Sequence, residues 1–369
     1  MTTTSDAAPG NSSNLFQNKK KRWLARLILL ATSLFIVLLI CEVFVRLFCE
    51  PYIMPRWVEN APYGIRRQIA NLRGYIKTAK YQHHLNTNSK GFRGTREYPV
   101  PKGTNVFRIV ALGDSVVDGY GVEDDQTFSA LLEKKLSGKR PCEVANLGTP
   151  GFSTAEELIQ LNNVGLVLQP DMVILGYFIN DHFENMTSSL YKLQDGKLVR
   201  NTKIEDASIY VRDRLSRIPG YSFLCQHSHL VSFLRNKASS FFRRKIAEKH
   251  RLPGGNDTGG KLTPDQIALT AALIDEIIRV CTERQIKVLI LNLPMEANGE
   301  WIENMPLEQL QLKDRVKVVN VAKEIWAVPD IFTIATKGTY HPKPLGHQLI
   351  ADWLAPYIEQ QVWAGGARP

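Results

Sequence analysis

The 369-residue sequence is poor in the features that mark metal, nucleotide and nucleic-acid binders. Its five cysteines, Cys41, Cys49, Cys142, Cys225 and Cys281, lie far apart and form no CxxC pair. That argues against a disulfide framework and against a zinc site. The odd count leaves at least one thiol free or bonded to another chain. No GxxxxGK[ST] or GxGxxG string occurs, so support for a phosphate-cradling loop is weak. There is no zinc finger, recognition-helix pattern or aromatic RNA platform, and the net charge of +10 does not make this a nucleic-acid binder. No internal repeat is present. Much of the positive excess is local, in Lys19-Lys20-Lys21-Arg22 and between Arg235 and Arg251. With 44% hydrophobic and 22% charged residues, the composition is globular and suits one large domain or two small ones.

One long apolar run stands out. Residues 23–48 read WLARLILLATSLFIVLLICEVFVRLF. The run is long enough to span a bilayer if Glu42 and Arg46, four apart, pair or snorkel near one interface. No small-x-small cleavage site follows, which favours an uncleaved anchor over a signal peptide. A buried core helix fits poorly beside a polar tail and a KKKR cluster. That cluster puts the N-terminus in the cytoplasm and the main domain outside, as in a single-pass inner-membrane protein with a periplasmic domain. The bias is modest, because Arg46, Arg56, Arg66 and Arg67 follow the span. The expected organisation is a disordered cytoplasmic tail over 1–22, a transmembrane helix over 23–48, a stalk over 49–100 that packs on the main domain, and a main domain over 101–364. A helical insertion over 185–262 interrupts it.

Within the main domain, short apolar runs alternate with amphipathic stretches. VFRIVAL, CEVANLG, DMVILGYFIND, KVLILNLP and VKVVNV read as strands. Thr127–Leu136, Ser153–Val167, 267–284 and 347–361 read as helices. Continuous apolar strands alternating with helices predict a parallel sheet covered on both faces. Ligands of such sheets sit beyond the carboxyl ends of the strands. Gly113-Asp114-Ser115, Asn146-Leu147-Gly148 and Asn180-Asp181 all fall there. In the insertion, 230–251 reads as a helix with an apolar side and basic residues elsewhere. It is either packed on the domain with a solvated basic face or laid on an anionic membrane surface.

Taken singly, each candidate has an ordinary explanation. Ser115 in GDS is a turn residue, a cap or a nucleophile. Gly148 is a turn glycine or an oxyanion donor, and Asn180 a cap or an oxyanion donor. Of the eight histidines, His341 in YHPKPLGH stands out, just before the last helix, while His347 packs or caps that helix. Together these blocks resemble the SGNH hydrolases, the GDSL family, named for a Ser, Gly, Asn and His in ordered blocks. Ser115 matches the first block, Gly148 in NLGTPG the second, Asn180 in GYFIND the third and His341 in HPKPLGH the fourth. The phrases RIVALGDSVVDGYGV and NLGTPGFSTAEEL, and the GFRG ahead of them, resemble the bacterial membrane-anchored members.

The resemblance implies a three-layer α/β/α, flavodoxin-like fold and serine-dependent acyl transfer from an ester to water or another acceptor, with no metal or cofactor. Ser115 would attack and His341 would shuttle the proton. The N–H groups of Ser115 and Gly148 and the Asn180 side chain would hold the oxyanion. Asp114 and Asp181 would support the loops by bonding their N–H groups. One position departs from the family: where an Asp is expected three residues before the histidine, this chain has Gly338. A Ser115–His341 dyad, an acid from elsewhere such as Asp330, or a cleft that binds without cleaving all follow. The expected activity is an esterase or O-acyltransferase acting on an extracytoplasmic acyl ester, an acetylated glycan being the preferred substrate class. The alternative is a non-catalytic glycan-binding or assembly protein.

Overall fold

The computed structural model describes residues 12–202, 214–250, 262–293, 295–297, 300–302, 305–321, 328 and 341–363. The first element is helix α1 (Ser12–Phe48). Its Lys21–Phe48 portion is long and apolar enough to cross a membrane, with a mean hydropathy of 2.8 in its most apolar window. At 1.5 Å per residue its 28 residues reach about 42 Å. Two antiparallel hairpins follow, β1 (Val58–Asn60) with β2 (Arg66–Gln68) and β3 (Arg73–Lys77) with β4 (Gln82–Asn86).

The sheet begins with β5 (Phe107–Leu112), which leads through the single turn α2 (Ser115–Asp118) to α3 (Phe128–Ser137) and β6 (Cys142–Asn146). Helix α4 (Thr154–Gln160) leads to β7 (Met172–Phe178), α5 (Asn180–Ser188) and the hairpin β8 (Tyr191–Gln194) with β9 (Lys197–Arg200). The insertion supplies α6 (Tyr221–His227) and α7 (His229–His250). Then come α8 (Pro264–Thr282), β10 (Lys287–Leu293), a short hairpin of β11 (Met295–Ala297) and β12 (Glu300–Ile302), β13 (Lys317–Asn320) and α9 (Pro344–Trp363).

Strands β13, β10, β7, β5 and β6 lie in that order, with every neighbouring pair parallel. Numbered along the chain within this sheet, the order is 2-1-3-4-5 from the β6 edge, the flavodoxin order. Its topological switch point falls between β5 and β7. The period-two alternation of a strand divides the side chains between two cores. Val110, Leu112, Val173 and Leu175 face α4 and α8, packing with Leu158, Leu273, Ile274 and Ile277. Ile109, Ala111, Ile174 and Leu289 face α3 and α9, packing with Phe128, Leu132, Ile350 and Leu354. Burying each such side chain contributes about 1.5–3 kcal/mol, which makes the sheet interior the rigid floor of the molecule.

The helices start where local chemistry places them. The Thr127 hydroxyl accepts from the Ala130 N–H at the start of α3. Thr263 and Gln266 form a reciprocal capping box at α8, with Pro264 in its first turn. Pro344 likewise opens α9, so that helix starts three residues earlier than its apolar periodicity predicts. Residues 50–100 do more than connect the apolar helix to the sheet. They bury Gln68, His83 and Arg93. Arg93 pairs with Asp124 at 2.9 Å and donates to the Val122 carbonyl at 2.7 Å, which ties this segment to the loop behind α2.

Candidate active site

The site grows from the end of β5 at the switch point. Gly113 and Gly176 let α2 sit down on the sheet: a Cβ at Gly113 would stand 2.1 Å, and one at Gly176 2.2 Å, from the Val117 Cγ2. Asp114 caps α2, its Oδ1 accepting from the Val116 N–H at 2.8 Å. Ser115 is therefore the first helical residue, where N–H groups lack intrahelical partners. The chain leaves α2 at Gly119, φ 79°, a left-handed conformation that glycine adopts without strain.

Across the crevice, His341 precedes α9 by three residues. Its Nε2 lies 2.8 Å from the Ser115 Oγ. The half-buried imidazole packs against two tyrosines that also pack edge-on against each other at 5.2 Å. Tyr120 is tilted at 5.5 Å between centroids, and Tyr81 is edge-on at 6.0 Å. Desolvation, assisted by the positive charge of Lys80, lowers the His341 pKa to about 4. The ring is thus neutral at ordinary pH and can accept the serine proton. Its Nδ1 is buried and has no hydrogen-bond partner among the described residues. Gly338 and Asp330, where a partner acid was sought, lie outside the described residues.

Asn180 is the first residue of α5, two positions past β7. Its Nδ2 donates to Glu184 Oε2 at 2.9 Å, one helical turn on, and more weakly to Asp114 Oδ2 at 3.4 Å. Asp181 Oδ2 accepts from the Phe178 N–H at 3.2 Å. Asp114, Glu157, Asp181 and Glu184 crowd behind Asn180. Burial first, then mutual repulsion for the last three, raises their pKa values: Asp114 to about 6, Glu184 to about 8, and Glu157 and Asp181 well above the carboxylate range. Carboxyl groups can pack this closely because several are held neutral.

Gly148, expected as an oxyanion donor, has its N–H engaged within its own turn. Its N–H already donates to Asn146 Oδ1 at 2.9 Å, an Asx-type bond closing the turn after β6. A glycine is needed there for another reason: a Cβ would lie 2.2 Å from the Asp118 nitrogen and 2.7 Å from the Val117 carbonyl carbon. The end of β6 thus packs against the backbone of α2, and Gln68 bridges the contact from Gly148 O to Asp118 Oδ1, each at 2.7 Å. In the same turn Gly151, φ 76°, has an N–H that makes no hydrogen bond among the described residues, while Arg66 holds its carbonyl.

Three neighbours of the site residues went unread in the sequence: Tyr81, Tyr120 and Glu184. The i, i+4 spacing of Asn180 and Glu184 is a signal that could have found one of them. Two other histidines are bound into the fold. His347 Nδ1 accepts from the Phe128 N–H at 3.2 Å, and His182 Nε2 lies 2.7 Å from the Tyr177 hydroxyl. No three His, Cys, Asp or Glu side chains among the described residues are grouped to hold a metal ion.

A serine and a neutral histidine at hydrogen-bond distance, at the switch point of a 2-1-3-4-5 sheet, define a serine-hydrolase type of site. Residues 109–354 match the GDSL-like lipase/acylhydrolase family, and the chain belongs to that family. Similar solved structures include TesA, with a TM-score of 0.43 and 13% identity over 69% of this chain and 99% of that one. The acetylxylan esterase Axe2 from Geobacillus stearothermophilus has a TM-score of 0.40 and 11% identity, covering 68% and 94%. A two-domain esterase active on acetylated mannans has a TM-score of 0.40 and 12% identity, covering 69% and 49%. No curated protein matches the chain.

Proposed function

We propose that this protein is a membrane-anchored esterase or O-acyltransferase that cleaves an acyl ester through Ser115. The 2.8 Å contact between Ser115 Oγ and His341 Nε2 carries the reading. His341 takes the hydroxyl proton as Ser115 Oγ attacks the ester carbonyl carbon, and returns it to the departing alcohol. The acyl-serine is then resolved by water or by an acceptor hydroxyl, with His341 again acting as base. The developing oxyanion is held by the Ser115 N–H and the Asn180 amide, and the Gly148 N–H joins them by releasing Asn146 Oδ1. Tyr81 and Tyr120 pack against the imidazole, and with Gly338 where the family has an acid, the centre works as a dyad and turnover is slow.

The preferred substrate is an acetyl ester on an extracytoplasmic glycan. The tyrosine faces beside the dyad suit a sugar ring, and the length and hydropathy of α1 with the KKKR cluster before it support an anchor whose N-terminus is cytoplasmic. Labelling with a fluorophosphonate, together with acetate release from acetylated oligosaccharides, tests this. Wild type should label and turn over, and Ser115→Ala should do neither. A wild-type protein that does neither would sink the proposal.

That His341 Nδ1 has no hydrogen-bond partner among the described residues favours a second reading, a glycan-binding protein that keeps the cleft without cleaving. Glycan binding by a wild-type protein that resists the fluorophosphonate would select it.

A further inference from the structure

Glu42 and Arg46 interrupt an otherwise apolar helix, and an isolated charge in such a place is costly. Both are engaged. Arg46 Nε meets Glu42 Oε1 at 2.6 Å, one turn apart on α1. The Glu42 carboxylate also accepts from Ser228 Oγ at 2.7 Å and from the N–H groups of His229 and Leu230, each at 2.9 Å. It is the N-cap of α7, supplied from another helix. Arg46 Nη2 donates to the carbonyl of His227, the last residue of α6, at 3.0 Å. The anion sits at a helix N-terminus and the cation at a helix C-terminus, each on the side the helix dipole favours. Val45, Cys225 and Ser232 are buried at this junction, and Arg235 reaches back to the Met54 carbonyl.

The height of this junction along α1 is informative. Glu42 lies six residues before Phe48, so α6 and α7 meet α1 about 9 Å inside its apolar end. Helices that lie in a bilayer surface bury their apolar faces by roughly 5–10 Å. The insertion carries matching surface: Ile218, Phe223 and Leu234 are 53%, 63% and 56% exposed, and Leu215 and Leu224 are exposed as well. Arg214, Arg217 and Lys237 are exposed among them. This apolar surface continues that of α1 itself, where Phe44, Leu47 and Phe48 are exposed.

We infer that α6 and α7 form a second membrane element, lying at the headgroup–acyl boundary of the bilayer that α1 crosses. Ile218, Phe223 and Leu234 face lipid, the basic residues meet anionic headgroups, and Glu42 and Arg46 lock the pair to the span. The inference rests on α1 crossing a bilayer, and it is independent of the chemistry at Ser115. Its consequence is a hydrolase domain held at a fixed height over the membrane rather than swinging on a tether.

The test places the photocrosslinker p-benzoylphenylalanine at Phe223 or Leu234 of the full chain, in vesicles of phosphatidylcholine and phosphatidylglycerol. Leu39 in the span and Lys139 at the end of α3 are the reference positions. Phospholipid adducts should form at Leu39, Phe223 and Leu234 and be absent at Lys139. Glu42→Ala should reduce the adducts at Phe223 and Leu234 to the Lys139 level while leaving that at Leu39, and Glu42→Gln should preserve them. Adducts at Leu39 but none at Phe223 and Leu234 would overturn the inference, as would adducts there to a second copy of the chain. No adduct at Leu39 would overturn the span and the inference together, leaving the Ser115 labelling to stand or fall by itself.

Discussion

Ser115 Oγ and His341 Nε2 lie 2.8 Å apart although 226 positions separate them in the chain. The distance suits proton transfer, and each residue is held by a different part of the fold, Ser115 by the β5–α2 turn and His341 by the loop ahead of α9. Removing either partner of such a pair removes a function they perform jointly. Ser115→Ala and His341→Ala should therefore each lower kcat on short acyl esters by roughly 10⁴-fold or more, and the double variant by little more than either single one. Additive losses in the double variant would show that the two residues do not act together.

With His341 as the proposed base, its pKa sets the acid limb of the proposed reaction. Burial and Lys80 lower it to about 4 from the ordinary 6.5, so the imidazole remains a free base well into the acid range. The acid limb of kcat/KM, which reports groups on the free enzyme, should fall near pH 4 rather than near 6.5. Lys80→Gln removes the neighbouring charge and should move the limb upward. A wild-type limb at 6.5 would mean that the imidazole is solvated or paired with an acid in solution.

The layered sheet was legible because its strands are wholly apolar and its helices carry their own caps. The Ser115–His341 pairing was legible because both blocks sit at the edge of elements whose type the sequence announces. Nothing in NLGTPG tells that the Asn146 side chain folds back on the Gly148 N–H. Tyr81 was passed over because residues 50–100 lack the periodicity of a core segment, although their hairpins bring it to the imidazole. Capping of α7 by Glu42 joins residues 187 and 188 positions apart, a relation that no local pattern encodes.

Asn180 should matter through its amide. Its firm bond to Glu184 fixes the side chain through one hydrogen, while the other makes only the long contact to Asp114. That second hydrogen is the one available to an oxyanion. Asn180→Ala should lower kcat roughly 10²–10³-fold with little change in KM. Glu184→Gln, which keeps an acceptor for the amide, should leave kcat near wild type. A loss confined to KM in Asn180→Ala would assign Asn180 to substrate binding instead.

Gly148 should matter through packing. A methyl group there would collide with the backbone of Val117 and Asp118, which cannot swing aside as the end of a flexible side chain can. Gly148→Ala should destabilise the protein by roughly 1–3 kcal/mol and displace α2. Thermal midpoint and fluorophosphonate labelling should fall together. A normal midpoint with full labelling would contradict the close approach of β6 to α2.

The buried carboxyl groups give stability a pH dependence of unusual sign. A carboxyl whose folded pKa is raised contributes stability below its unfolded pKa and loses it as pH rises through the folded value. Asp114, raised to about 6, has largely titrated by neutral pH, whereas Glu184, raised to about 8, has not. The buried histidines act oppositely. His83, His341 and His347 are lowered from 6.5 to about 3, 4 and 3, so their contribution is present above pH 6.5 and is lost as pH falls below it. Above about pH 7.5 the unfolded imidazoles have lost their protons and the histidines no longer change, so Glu184, with Glu157 and Asp181, sets the slope. Stability should fall with rising pH there by about 1.4 kcal/mol per unit for each proton held. Thermal denaturation of the detergent-solubilised chain should show a midpoint declining above about pH 7.5. Glu184→Gln should decline less steeply, by one proton's share. A wild-type midpoint that is level or rising over this range would mean that these acids are ionised in the folded protein.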